Sequence, residues 1–437
     1  MQVSYRKSNQ LLVKGLGFWL LLFFVIPASP GIAAATAQNN AYGTGAFATG
    51  QYRNLFAENG HSRRKISAKI NAAFKQLFHG DPQTQAVFFP AGENANGALA
   101  YLTDWNNHDV RTEGMSYGMM IAVQRNKKAE FDALWNWAKT YMYISDRNHP
   151  SYGYFSWSCK IDGTPNEETA APDGEEYFVM SLYFAVGRWG NGKGIYDYSA
   201  QANELLTTMR HRVEKTGATK FGIRTVGAEV NEEAKMILFV PVVNRGDFTD
   251  PSYHLPAFYE LWARWGPPAD RDFWVGAATA SRTFFVKTTD PKTGLAPAYA
   301  NFDGTPHATR FPQSTIFGYD SWRTASNWSV DWSWWRKDPQ EQELSNRIQA
   351  FFLSQGMNTY GDLYALDGKE LQDHHSTGLV ATNAVASLAA TNPAAKKFVE
   401  ALWDAPVPSG QFRYYDGMLY LLSLLHCSGQ FRIWTPR

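Results

Sequence analysis

Cysteine is nearly absent, with only Cys159 and Cys427 in 437 residues. That excludes a disulfide framework and leaves no spacing for a structural zinc site. An excess of one charge is lacking too: 41 basic residues face 40 acidic ones, so the footprint of a nucleic-acid or anionic-membrane partner is missing. Long apolar runs are confined to Gly15–Ile26 (GLGFWLLLFFVI), too short to span a bilayer comfortably. Arg6, Lys7 and Lys14 precede that run, and SPGIAAATAQ follows it with an A-x-A pattern ending at Ala37. Residues 1–37 therefore read as a cleaved signal peptide and 38–437 as the mature domain, exported to the periplasm or beyond. No Cys stands directly after the apolar core, so no lipid anchor is expected. Serine/proline linkers, low-complexity tracts and repeats are also missing. The pair His374-His375 matches no standard ligand set, and neither metal nor cofactor is expected. The mature protein is expected to act as a monomer.

What is abundant is aromatic: 15% of the chain, with 16 Trp and 22 Tyr. Much of this must be core, yet Trp and Tyr also stack on sugar rings. Apolar residues recur at helical spacing through most of the chain. They predict helices at 62–79, 112–125, 128–143, 173–189, 197–214, 255–265, 268–288, 320–335, 338–356, 377–391, 393–404 and 414–426. Pro256, Pro268, Pro339 and Pro393 sit near proposed starts, where a missing N–H costs nothing. The segment 219–245, with MILFVPVV inside it, reads as a small β excursion.

Twelve helices without a linker predict an all-α fold, an (α/α)6 barrel of six helical hairpins. In such a ring the even-numbered helices all start at one end. Those starts carry Thr112-Glu113, Asp173-Gly174-Glu175-Glu176, Tyr253-His254, Tyr319-Asp320, His374-His375-Ser376 and Arg413-Tyr414-Tyr415-Asp416. The odd starts carry ordinary caps such as Ser62 and Asp197. Acidic caps enrich any helix start, but the added Tyr and His are not caps. The expected placement also separates the cysteines, Cys159 at the catalytic end and Cys427 at the other. A disulfide needs Cα atoms within about 7 Å, so none is expected.

Paired carboxyls at one end of a neutral, aromatic-rich, exported barrel suit glycoside hydrolysis, where one acid protonates the leaving oxygen and another activates water. Glu113 stands alone in RTEGMSYGMM, followed by no charge until Arg125. Thr112 reads as its N-cap. The helix dipole lowers a first-turn Glu, so burial beside Met115, Tyr117 and Met119 has to raise it if it is to carry a proton. Gly114 and Gly118 let another element come close. Asp320 and Arg323 read as an i,i+3 pair, and Asp109 with Arg111 as a salt-bridged loop.

These motifs resemble glycoside hydrolase family 8. RTEGMSYGMMIAVQ, DGEEYF, DPSYHLPAFY and the Tyr-Asp-x-x-Arg pattern carry the likeness, which runs from GQYRNLF near residue 50 to SGQFRYYDGMLYLL. The resemblance implies an (α/α)6 barrel and inversion of anomeric configuration. It implies Glu113 as general acid, Asp320 as base, Asp173 as the acid holding the sugar, and Tyr253 as the tyrosine holding the water. Arg323 and His375 are further expected to bind substrate. Inverting carboxyls are expected about 6.5–9.5 Å apart. APDGEEYF and HSTGLVATNAVASLA look most like the oligoxylanases that release xylose from reducing ends, with Ser376 where that group often has Pro. The expected substrate is a xylo-oligosaccharide or xylan; the alternative is an endo-acting β-1,4-xylanase or β-1,4-glucanase.

Overall fold

The computed structural model describes residues 44–436; the expected signal peptide lies outside them. Twelve helices follow two short turns: α1 (Arg63–His79), α2 (Thr112–Gln124), α3 (Lys128–Trp137), α4 (Pro172–Trp189), α5 (Tyr198–His211) and α6 (Pro256–Trp265), then α7 (Arg271–Thr288), α8 (Trp322–Trp335), α9 (Gln340–Gln355), α10 (Thr377–Val385), α11 (Ala395–Asp404) and α12 (Arg413–Cys427). Along the even series α2 packs on α4, α6 on α8, α8 on α10, α10 on α12, and α12 back on α2. Tyr177 of α4 meets Phe258 of α6 edge-on at 5.1 Å, which closes the ring. Each odd helix packs outside an even one. This is the (α/α)6 barrel.

Burial explains the two rings. In α2, Thr112 and every residue from Gly114 to Gln124 are buried, as an inner helix walled on all sides requires. In α1 only Ile66, Ile70, Ala73, Phe74, Leu77 and Phe78 are buried, a single stripe at helical spacing. Caps fall where expected at α1, where Ser62 accepts from Lys65 N–H at 3.4 Å, and at α5, where Asp197 accepts from Ala200 N–H at 3.3 Å.

At α2 the expectation fails. Thr112 is the first helical residue, and Arg111 before it makes no side-chain cap. The reason is that a strand runs straight into the helix, and Thr112 N–H donates to Trp157 O at 2.9 Å instead. That strand is one of five short antiparallel pairs: β1 (Phe88–Asn94) with β2 (Gly97–Leu102), β3 (Asp109–Arg111) with β4 (Ser158–Lys160), β5 (Lys215–Thr219) with β6 (Gly222–Val226), β7 (Val230–Asn231) with β8 (Met236–Ile237), and β9 (Leu363–Tyr364) with β10 (Glu370–Gln372). The β excursion thus starts slightly before 219, and strands also stand in several barrel connections. Cys159 and Cys427 are both buried and free.

The start of α4 buries more acid than its helix dipole needs. Glu175 and Glu176 are fully buried. Glu175 accepts from Phe155 N–H at 3.1 Å, and burial pushes its carboxyl up to about 8. Glu229 stands near both and is likewise raised by burial; neither of its oxygens has a hydrogen-bond partner among the described residues. The folded state therefore holds a proton on Glu175 that the unfolded chain releases near about pH 4.3. This group subtracts stability as pH rises from there toward about 8. Glu175→Gln keeps the acceptor for Phe155 and removes the titration. Thermal melting from about pH 5 to about pH 8 should show the variant gaining steadily on the parent; a constant difference would refute it.

Candidate active site

The even-helix starts open on a cleft of about 730 Å³. Glu113 and Asp320 both line it, with Arg111, Trp322, His374 and Tyr415 among the other walls. Strand β3 delivers Glu113 into the first turn of α2. Arg111, beneath it, donates to Asp109 at 3.1 Å and pairs with Asp104 at 3.2 Å, so the salt-bridged segment is a strand rather than a free loop. Asp320 lies in the single-turn helix Tyr319–Ser321 just ahead of α8. Tyr319 there has φ of 47°, a conformation that side chains resist. The turn is held by Gly318 N–H donating to Ser321 Oγ at 2.7 Å and by Tyr415 Oη donating to Tyr319 O at 3.2 Å. Asp320 is left with 39% of its side chain exposed, within reach of water.

Arg323, one turn into α8, gathers the acids. Nη1 donates to Glu113 Oε2 at 3.2 Å, to Asp173 Oδ2 at 2.9 Å and to the Tyr117 hydroxyl. Nη2 donates to Asp320 Oδ1 at 3.2 Å and to Ser252 Oγ at 2.9 Å. The guanidinium is 5% exposed as a residue, so it serves these groups rather than solvent. One planar fork thus bridges Glu113 and Asp320 and keeps their nearest oxygens within about 9 Å of each other.

Burial raises the Glu113 carboxyl to about 7; Arg323 opposes the rise, while Asp173 and Asp320 add to it. The helix dipole is thus overcome by desolvation, as the apolar surroundings lead one to expect. Tyr117 is more than an apolar neighbour, since its hydroxyl belongs to the Arg323 cluster. Asp173 is also raised by burial, against Arg323. Gly174 beside it lets α4 approach α2 closely: a Cβ there would come within 2.4 Å of Thr112 Cβ.

The other expected residues are spread differently. Asp173 and Arg323 line a cavity of about 30 Å³ beneath the cleft, with Tyr117, Tyr177 and Ser252. Tyr253 is 5% exposed, its ring 5.9 Å from the Arg323 guanidinium carbon. His375 faces away. It lines a separate groove with Met357 and Lys396, and its Nδ1 bonds to Tyr360 O at 2.8 Å. The cleft-facing histidine is His374, whose Nδ1 bonds to Asp362 Oδ2 at 2.7 Å. In an extended segment successive side chains point to opposite sides, so a shift of one residue exchanges cleft for groove. Asp362 carried no sequence signal, for it lies in an ordinary-looking YGDLY. Tyr117 was read from the sequence only as an apolar neighbour of Glu113; its i,i+4 spacing from that residue is the signal that could have placed its hydroxyl here.

The Glycosyl hydrolases family 8 profile matches residues 95–429. The chain belongs to that family. It is 43% identical over 399 residues to the reducing-end xylose-releasing exo-oligoxylanase Rex8A of Paenibacillus barcinonensis, covering 90% of this chain and 100% of that one. A family 8 xylanase from Teredinibacter turnerae, solved as a catalytic mutant with xylohexaose, superposes with a TM-score of 0.89 at 52% identity, over 90% of this chain and 100% of that chain. Endoglucanase 2 of Ruminiclostridium josui is more distant, at 26% identity over 334 residues, 74% of this chain and 65% of that protein.

A family 8 site in which three acids share one guanidinium should not tolerate an apolar replacement. Arg323→Met should cost about 3–5 kcal/mol by leaving buried carboxylates unpaired. The cost should shrink on moving from about pH 7.5 to about pH 4.5, as those acids take up protons. Urea unfolding at both values measures it; an equal loss at both would mean that Arg323 acts by packing alone.

Proposed function

We propose that this chain hydrolyses β-1,4-xylosidic bonds in xylo-oligosaccharides with inversion, releasing xylose from the reducing end. The observation that carries the reading is the Glu113–Arg323–Asp320 bridge at the cleft, with Glu113 raised to about 7 and Asp320 open to water. Glu113 protonates the glycosidic oxygen as its bond to the anomeric carbon breaks. Asp320 takes a proton from the water that attacks the opposite face, and the new hydroxyl carries inverted configuration. Arg323 holds both carboxyls in place, and Asp173 and Tyr253 steady Arg323 from beneath and beside. The similarity to an exo-oligoxylanase along the whole of that protein supports xylose units over glucose. At the aglycone end His374, anchored by Asp362, offers its free Nε2 to a sugar hydroxyl. The protein works as an exported monomer.

A second reading, endo-acting xylanase, is favoured by particular observations. Ser376 stands where the exo group often has Pro, His375 is turned out of the cleft, and the similar Teredinibacter turnerae xylanase is seen with xylohexaose.

Xylotriose should yield xylose from its reducing end, and reduced xylotriose should be a poor substrate, because a site built to bond a hydroxyl rejects ligands lacking it. His374→Ala should narrow that difference. Early mixed xylobiose and xylotriose from polymeric xylan would support the endo reading instead. The new reducing end, on the xylobiose left behind, should be the α-anomer when fresh, by NMR.

Glu113→Gln should lose at least about 10²-fold in kcat on xylotriose, yet far less on a dinitrophenyl β-xylobioside, whose leaving group needs no proton. In the parent enzyme kcat/KM should fall as pH rises through about 7, where Glu113 gives up its proton. A flat profile between about pH 6 and about pH 8 would exclude Glu113 as the acid.

A further inference from the structure

The two oxygens of Glu113 have different neighbours. Oε2 receives an N–H from Arg323 Nη1 at 3.2 Å, and a guanidinium can only donate. Oε2 is thereby fixed as an acceptor, so the hydrogen of the neutral acid belongs on Oε1. Facing Oε1, at 3.1 Å, is the Tyr414 hydroxyl. We propose that Tyr414 is a positioning residue for the general acid, its hydroxyl accepting the Glu113 proton at rest and donating to Oε1 once that proton has left. This rests on the reading of Glu113 as the acid. A phenol hydroxyl can do both by rotating about its C–O bond.

The local sequence makes room for this contact. Tyr414 is 2% exposed, in the first turn of α12 where that helix packs on α2. A Cβ on Gly114 would come within 2.5 Å of Tyr414 Cε2 and Oη, so the bare backbone at 114 is what lets the ring reach its neighbour Glu113. The start of α12 is itself pinned. Arg413 donates from Nε to Ala86 O at 2.8 Å, from Nη1 to Gly410 O at 2.7 Å and from Nη2 to Pro82 O at 3.0 Å.

During the step the bond from the anomeric carbon to the leaving oxygen breaks, and that oxygen takes the hydrogen from Oε1. Water bonds to the anomeric carbon and passes its proton to Asp320. The Tyr414 hydroxyl then turns to donate to the new carboxylate. The other titratable groups facing Glu113 are Arg323, Asp173, Asp320, Arg111, Tyr117 and Tyr415. None of them changes in a Tyr414→Phe variant.

A hydroxyl binds a carboxylate more strongly than a neutral acid, so Tyr414→Phe should move the basic limb of the pH profile to higher pH. On xylotriose kcat should fall about tenfold with KM little changed, while turnover of dinitrophenyl β-xylobioside should change less than about twofold. Gly114→Ala, which keeps the hydroxyl but displaces the ring, should move both readouts the same way. Thermal melting reports whether each variant is folded. An equal loss on the two substrates with an unmoved pH limb, in whichever variant folds, would make Tyr414 a packing residue and overturn the proposal. Glu113→Gln separates the two failures. If it discriminates between the substrates and the Tyr414 and Gly114 variants do not, this inference alone falls; if it does not discriminate, the assignment of Glu113 falls first.

Discussion

Everything at the cleft depends on one buried cation shared among acids. Glu113 comes from α2, Asp173 from α4 and Asp320 from the turn before α8, and each places an oxygen on Arg323. Buried together without a cation, such groups would have to be neutral or the helix starts would separate. With one positive charge for three carboxyls, the cluster cannot be fully ionised at low cost. Burial raises both Glu113 and Asp173, against Arg323. Asp173 takes a 2.9 Å bond from Arg323, whereas Glu113 has longer contacts of 3.1 and 3.2 Å and sits at about 7. A charge deficit in the floor of the site thus becomes a proton available at its surface.

The barrel makes that sharing possible. Its inner helices all begin at one end, so residues from α2, α4, α8 and α12 meet there although they are remote in sequence. The same convergence crowds further acids below the cleft, and Glu175 and Glu176 show how the crowding is handled. Both are enclosed, both are raised by burial, and one oxygen of each has a donor, Phe155 N–H or the Tyr259 hydroxyl. They behave as neutral polar fillers rather than as charges, which leaves Arg323 to the groups above.

Periodicity made the helices legible, because inner and outer helices have distinct burial patterns: ten lie within three residues of their expected spans, while α3 and α10 end six residues early and give way to a π turn over Ala138–Met142 and a 3-10 turn over Ala386–Leu388. Of the strands, only the excursion after α5 was legible; β3, β4, β9 and β10, two or three residues each, have no period to detect, and β1 and β2, seven and six residues long, were not expected. Thr112 was misread as a cap because local chemistry favours it, while the actual partner of its N–H is Trp157, on a different connection. Glu113 looked isolated along the chain and is surrounded in space. Its neighbours Arg323 and Tyr414 lie about 200 and 300 residues away, and no spacing rule reaches so far. His375 shows the opposite limit. The right loop was identified, but which of two adjacent histidines faces the cleft depends on a backbone direction that composition does not carry.

These two limits mark a division within the molecule. The proton-handling groups sit on helix starts locked by buried side chains, and moving any one of them disturbs the others through Arg323. The wall at His374 belongs to the connection between α9 and α10, built on the two-residue strand β9 and its partner β10, whose residues are exposed. Its base is tied to the barrel by Trp322 Nε1 donating to Asp362 O at 3.0 Å, Thr293 Oγ1 donating to Leu366 O at 2.8 Å, Ser376 Oγ donating to Asp416 at 2.6 Å and Phe317 paired with Tyr364, and within it His374 bonds to Asp362. On the proposed reading, substitutions there bear on what length of sugar fits beyond the cleaved bond, whereas those at the helix starts bear on how the bond is cleaved. The groups that would read the end of a sugar chain thus stand on one connection, and those that would move the proton stand on the barrel's helix starts.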